Sequence, residues 1–159
     1  MVWIKRMFKL NRLTDYAVVI MSQMALTPGA IRNAAELARE TAVPQPTVAK
    51  ILGILTKSEL VSAHRGAAGG YSLASAPDEI PVSDIIEALE GPIALTACVE
   101  GTPDICGTQA LCPLRGHWNR VNLAIKDALE KVSLSELAIV HGPPDLAIRG
   151  PGEELQRPL

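Results

Sequence analysis

Proline and glycine cut the first ninety-odd residues into segments too short for anything but small elements. The breaks fall at Pro28-Gly29, at Pro44 and Pro46, between Gly66 and Gly70, and at Gly91-Pro92. Before the first of these breaks the apolar positions repeat at helical spacing. Leu13, Ala17, Val18, Ile20, Met21, Met24 and Ala25 share one face of a helix over residues 11–26, with Thr14 and Asp15 near its start, where capping groups and acids are favoured. Asn33 is a natural N-cap for a short second helix, Ala34 to Glu40, and the turn Thr41-Ala42-Val43-Pro44 follows it. Gln45-Pro46 then opens a third helix to about Ser58; a proline in the first turn removes no intrahelical hydrogen bond. Two short helices joined by a tight turn predict a helix-turn-helix.

The stretch from Val61 to Leu73 reads as strand, glycine-rich tip and strand, a β-hairpin beside the helix-turn-helix. Together they make a winged helix. The helix over 45–58 contains no acid and carries Gln45, Thr47 and Lys50 toward its amino end, where a major-groove reader first meets base edges. Arg65 lies near the tip of the hairpin, within reach of a phosphate or a narrow minor groove. Gln45, Thr47, Lys50 and Arg65 are therefore the candidate contacts to double-stranded DNA. A helix-turn-helix alone is a weak argument, because proteins that never touch DNA use it too; the adjoining wing and the missing acids strengthen it.

Charge points the same way. The net charge is only -2, yet residues 1–12 hold Lys5, Arg6, Lys9 and Arg12 without an acid, while residues 78–104 hold seven acids without Lys or Arg. Apolar residues make up 48% of the chain and aromatics 3%, so aliphatic side chains build the core, which favours helices. No apolar run reaches the roughly 18–20 residues a bilayer span requires. No nucleophile–base pair or phosphate-binding loop appears, and no enzymatic activity is expected; Gly66–Gly70 does not match a P-loop.

All three cysteines, Cys98, Cys106 and Cys112, are spaced C-x7-C-x5-C among Gly101, Pro103, Gly107 and Pro113, so they occupy an irregular loop. Thiolates are soft ligands, and a loop lets three of them converge on one inorganic centre. Zinc would accept three cysteines plus His117, although the usual C-x2-C pair is missing; the wider spacing suits a larger object such as an iron–sulfur cluster. A thiol switch without metal is the third reading. An odd cysteine count without a secretion signal fits a reducing, cytoplasmic setting. Beyond the loop, Leu114, Trp118, Val121, Ile125, Ala128, Leu129 and Val132 predict the longest helix, Pro113 to about Val132. Too little chain remains to cover both of its sides, so pairing with a second copy is expected. Ser133 or Ser135 caps one last turn, and the Pro- and Gly-rich residues 139–159 form a tail expected to be disordered.

Leu13-Thr14-Asp15-Tyr16-Ala17, Ala35-Glu36-Leu37-Ala38, Pro46 through Leu52, Arg65 through Leu73, and Asp84 through Gly91, followed by the cysteine loop and Trp118, resemble the iron–sulfur-dependent winged-helix regulators of the IscR type. Leu89 through Leu95 and Trp118-Asn119-Arg120-Val121-Asn122 are similar to the branch that regulates the SUF iron–sulfur assembly system. The resemblance implies a mainly α fold with a small β-hairpin wing: a winged helix-turn-helix DNA-binding region over residues 8–75, and a cluster-binding loop with a long C-terminal dimerisation helix over 76–138. It implies a homodimer on promoter DNA, with a [2Fe-2S] or [4Fe-4S] cluster held by Cys98, Cys106 and Cys112. Some members add a histidine three residues past the third cysteine. Arg115 stands there instead, and a guanidinium does not ligate iron. The fourth ligand then falls to His117, to Asp15 of the partner subunit as in some relatives, or to water or a small thiol.

Overall fold

The computed structural model describes residues 9–97, 99, 107, 112–114 and 116–138. Cys98, Cys106, Arg115 and the expected tail 139–159 lie outside the described residues.

Helix α1 (Arg12–Ala25) starts one residue later than its apolar pattern suggests, because Asn11 is the cap: its side chain accepts from the Thr14 N–H at 2.9 Å. Helix α2 (Ala34–Thr41) opens on a reciprocal capping box, with Asn33 accepting from the Glu36 N–H and Glu36 accepting from the Asn33 N–H, both at 2.9 Å. The turn into helix α3 (Gln45–Lys57) passes through Ala42 at φ 57. That left-handed conformation costs an alanine on the order of 1–2 kcal/mol, which the surrounding packing must offset. Strands β1 (Val61–His64) and β2 (Gly70–Leu73) pair antiparallel, Val61 opposite Leu73 and His64 opposite Gly70.

A third element steadies this hairpin. Arg32 pairs with Tyr71 through both of its backbone groups, its N–H donating at 2.9 Å and its carbonyl accepting at 2.8 Å. Its guanidinium is in turn held by Thr27 and Glu40. The wing is thus fastened to the start of α2.

After a 3-10 turn at Pro77–Glu79, helix α4 (Val82–Glu90) runs until Gly91 at φ 88 ends it. Helix α5 (His117–Glu130) begins four residues after Pro113, later than expected, since Gly116 at φ 79 breaks any helical path from the proline. It is 14 residues long, the same as α1. Ser133 then caps the short helix α6 (Leu134–Leu137), and Leu134 donates its N–H to the Ile80 carbonyl at 2.8 Å.

The core is aliphatic, as the composition demands. Ile20, Met21 and Ala17 of α1 meet Leu37 of α2, Val48, Ile51, Leu52 and Leu55 of α3, Val61 of β1, Ile85 of α4 and Leu134 of α6. Each fully buried Leu or Ile contributes about 1.5–3 kcal/mol by leaving water. Helix α5 stays outside this cluster. Leu114, Trp118, Val121 and Leu123 are 51%, 37%, 44% and 58% exposed. The first half of the stripe read as a packing face, Leu114, Trp118 and Val121, is therefore open within one subunit, while Ile125, Leu129 and Val132 are half-buried. Among the residues of α5 the buried one is polar, Asn122.

Candidate functional site

The fold sets the amino end of α3 and the tip of the hairpin at the surface. Gln45, Pro46 and Lys50 are exposed and Thr47 is half-buried, its N–H donating to the Pro44 carbonyl at 2.9 Å. Buried Val48, Ile51, Leu52 and Leu55 fix the opposite face of the helix in the core, so its polar side points outward. The first turn of α3 carries no acid. Arg65 is exposed at the start of the tip, where Gly66 takes φ 115 and accepts from the Gly69 N–H at 3.0 Å. His64 shares a 2.8 Å hydrogen bond with Ser72 of the facing strand.

Gly70 and Gly69 have steric reasons to be glycine. A β-carbon at Gly70 would lie 2.6 Å from the Arg32 carbonyl oxygen, and one at Gly69 would lie 2.5 Å from that of His64. The tip carrying Arg65 is held by backbone contacts that leave no room for a side chain.

The acids over 78–104 serve varied ends. Asp78, Glu79 and Asp84 are exposed, but Glu87 pairs with Lys126 of α5 at 3.1 Å. That hydrogen bond and the Glu87 charge hold the Lys126 pKa above its ordinary 10.5. Glu90 turns back to α1: one carboxylate oxygen accepts from the Asn11 N–H at 3.0 Å and from the buried Thr14 hydroxyl at 2.7 Å. A carboxylate there also complements the positive end of the α1 dipole. The acidic stretch is thus in part internal scaffolding rather than a wholly free repulsive face.

Of the proposed ligands, Cys112 is a half-buried free thiol, His117 is exposed as the first residue of α5, and Asp15 is exposed in the first turn of α1. Among the described residues, no three His, Cys, Asp or Glu side chains converge within one subunit. The approach to the cysteines is well defined. Asn122, 5% exposed, accepts from the Leu95 N–H at 3.0 Å and donates to the Ile93 carbonyl at 2.8 Å. Val99, just past Cys98, is 7% exposed.

Sequence reasoning passed over the roles of Glu90 and Asn122. An asparagine inside a helix is a signal, since its side chain competes with the backbone and is disfavoured there without a partner. Glu90 offered no comparable sign.

Comparison with known proteins gives a consistent picture. The Rrf2 family model, described as an iron-dependent transcriptional regulator, matches residues 10–139. The chain is 30% identical over 129 residues to the HTH-type transcriptional regulator NsrR of Oceanobacillus iheyensis, covering 80% of this chain and 88% of that one. The solved structure of CymR, the global cysteine regulator of B. subtilis, is similar at TM-score 0.63 and 31% identity, covering 82% of this chain and 96% of that one. The structure of T. potens IscR is similar at TM-score 0.59 and 27% identity, covering 82% and 85%. These neighbours are regulators rather than enzymes, and the mostly helical fold with one antiparallel hairpin is theirs as well.

Proposed function

The chain belongs to the Rrf2 family of transcriptional regulators, and from that premise we propose that an iron–sulfur cluster held by Cys98, Cys106 and Cys112 controls its binding to promoter DNA. The observation that carries the reading is one of connection: the cysteine segment joins the winged-helix head, through α4, to the exposed helix α5. Three thiolates are the donor set such a cluster takes, and Cys112 is a half-buried free thiol. When bound, the cluster supplies a tether between thiolates that responds to iron, oxygen or nitric oxide.

The chain's own residues translate that tether into a change at DNA. Asn122 ties residues 93 and 95 to α5, and Glu90 ties the end of α4 to the first turn of α1. The other side of α1 packs on α3 through Ala17, Ile20 and Met21. A shift in the loop therefore reaches the recognition helix through rigid, packed elements. The stripe on α5, with Trp118 and Val121 exposed and Ile125 half-buried at three- and four-residue steps, pairs with a second copy to give a homodimer that sets two recognition helices on two half-sites. The remaining cluster ligand is Asp15 of the partner subunit or His117. By the resemblance of residues 89–95 and 118–122, the target genes belong to iron–sulfur assembly of the SUF type, and the regulator works in the cytoplasm. No described helix is long and apolar enough to cross a membrane.

The test is anaerobic purification with iron and sulfide analysis, absorption and electron paramagnetic resonance, alongside DNA binding with and without cluster. A colourless protein with stoichiometric zinc and unchanged DNA binding would overturn the reading in favour of a structural zinc module. The similarity to the cysteine regulator of B. subtilis favours one further reading, a metal-free thiol switch. Mass mapping of disulfides after peroxide treatment tells the two apart.

A further inference from the structure

We infer that Asn122 is a positioning residue that sets where the chain presents Cys98. An asparagine amide carries one acceptor and a pair of donors, and here they meet the N–H of Leu95 and the carbonyl of Ile93 at 3.0 and 2.8 Å. These two backbone groups are two residues apart, so the side chain acts as a neighbouring strand would and fixes the register of the segment against α5. Leu95 is three residues before Cys98. On the other side of that cysteine, Val99 is buried and lines a cleft of about 240 Å³ with Ile93, Asn122, Leu123 and Lys126. The chain is thus bonded to α5 before Cys98 and borders the same cleft after it, and Asn122 supplies polar contacts that are specific to one register.

The placement of Asn122 is hard to explain otherwise. It is the buried residue of a helix whose apolar side chains remain largely exposed, and an amide taken out of water without partners would cost more than an apolar residue there. Its position makes sense if what must be conserved is the register of residues 93–95 rather than the packing of α5.

The inference rests on the reading that the three cysteines act on one centre, but its test does not depend on a bound cluster. Asn122→Ala removes both contacts; Asn122→Asp keeps an acceptor for the Leu95 N–H and loses the donor to Ile93. In the metal-free protein, hydrogen exchange at the Leu95 amide and alkylation of Cys98 relative to Cys112 are followed by mass spectrometry. In the cluster-loaded protein, the half-time of bleaching under a chelator is followed. The alanine variant should exchange Leu95 and lose cluster roughly tenfold faster, the scale of one to two lost hydrogen bonds, with the aspartate variant between it and the parent. Melting temperature and salt-dependent non-specific DNA binding report on folding, and Asp127→Ala, on α5 but exposed and away from the cleft, is the control. Unchanged Leu95 exchange and an unchanged alkylation ratio in a folded variant would overturn the inference, as would equal effects from Asp127→Ala. A parent protein that takes up no cluster would instead sink the proposed function, while the alkylation ratio still decides the role of Asn122.

Discussion

Replacing Gly70 by alanine should damage the protein, whereas the same change at Gly53 should improve it. The β-carbon at position 70 would stand 2.6 Å from the Arg32 carbonyl oxygen and 2.9 Å from its carbon, both backbone atoms that cannot swing aside. Relief requires Arg32 and β2 to separate, which breaks the two backbone hydrogen bonds between Arg32 and Tyr71 at 2.9 and 2.8 Å. Two such bonds are worth about 1–3 kcal/mol together. For a chain of this size that lowers the melting temperature by about 2–12 °C. At Gly53, inside α3, an added β-carbon meets no atom within 4 Å. Alanine there removes the glycine entropy cost and should stabilise by about 0.5–1 kcal/mol. Thermal unfolding of the two variants beside the parent is the assay, with DNA affinity as a second readout for Gly70→Ala, because the displaced wing carries Arg65. A Gly70→Ala protein that melts with the parent, or a Gly53→Ala protein that melts lower, would refute the reasoning.

Arg65→Ala should weaken DNA binding at all salt concentrations tested, and Lys50→Ala should reduce the slope of log affinity against log salt by about one if Lys50 meets a phosphate; titration by fluorescence anisotropy reads both. Leu37→Ala empties a fully buried site on α2 and should cost about 2–5 kcal/mol in chemical denaturation. Val121→Lys should shift the protein toward monomer in sedimentation while leaving the winged-helix circular dichroism intact, since Val121 is exposed within one subunit. Glu136 accepts from the Ser133 N–H and hydroxyl, which holds its carboxyl below the ordinary value of 4.5. Its contribution is present above that value and disappears as pH falls through the lowered one. Glu136→Gln should therefore lower stability slightly at neutral pH, the group being at the surface, leave it unchanged at low pH, and so flatten the acid limb of the stability curve.

Much of the winged-helix head is legible in the sequence because its signals are local. Pro28-Gly29, Asn33, Pro44-Gln45-Pro46 and Gly91-Pro92 each mark a boundary within three residues of the observed one. The start of α5 escaped the same logic. Pro113 is a fair helix opener, but Gly116 in the left-handed region three residues later reserves the stretch for a turn, and nothing nearby announces that choice. The apolar stripe after it is periodic, yet Leu114, Trp118 and Val121 face outward in one subunit, since periodicity identifies a face without saying what covers it. Glu90 and Asn122 could not be read at all from spacing, for their partners lie 76–79 and 27–29 residues away.

The distance between Glu90 and the first turn of α1 also bears on how the molecule assembles. Asn11 satisfies one of the amino-terminal N–H groups locally, but the Thr14 hydroxyl, fully buried, also donates to a carboxylate that is delivered only when α4 has docked. The front of the earliest helix in the described chain is therefore finished late, after some eighty residues have been threaded into place. Before that, the Thr14 hydroxyl has the Asn11 side chain at 3.2 Å as its local partner, and closing so long a loop is slow compared with forming a helical turn. A nascent chain stopped before Glu90 would hold α1 by its Asn11 cap alone, and the segment that leads into the cysteines would add the second fastening.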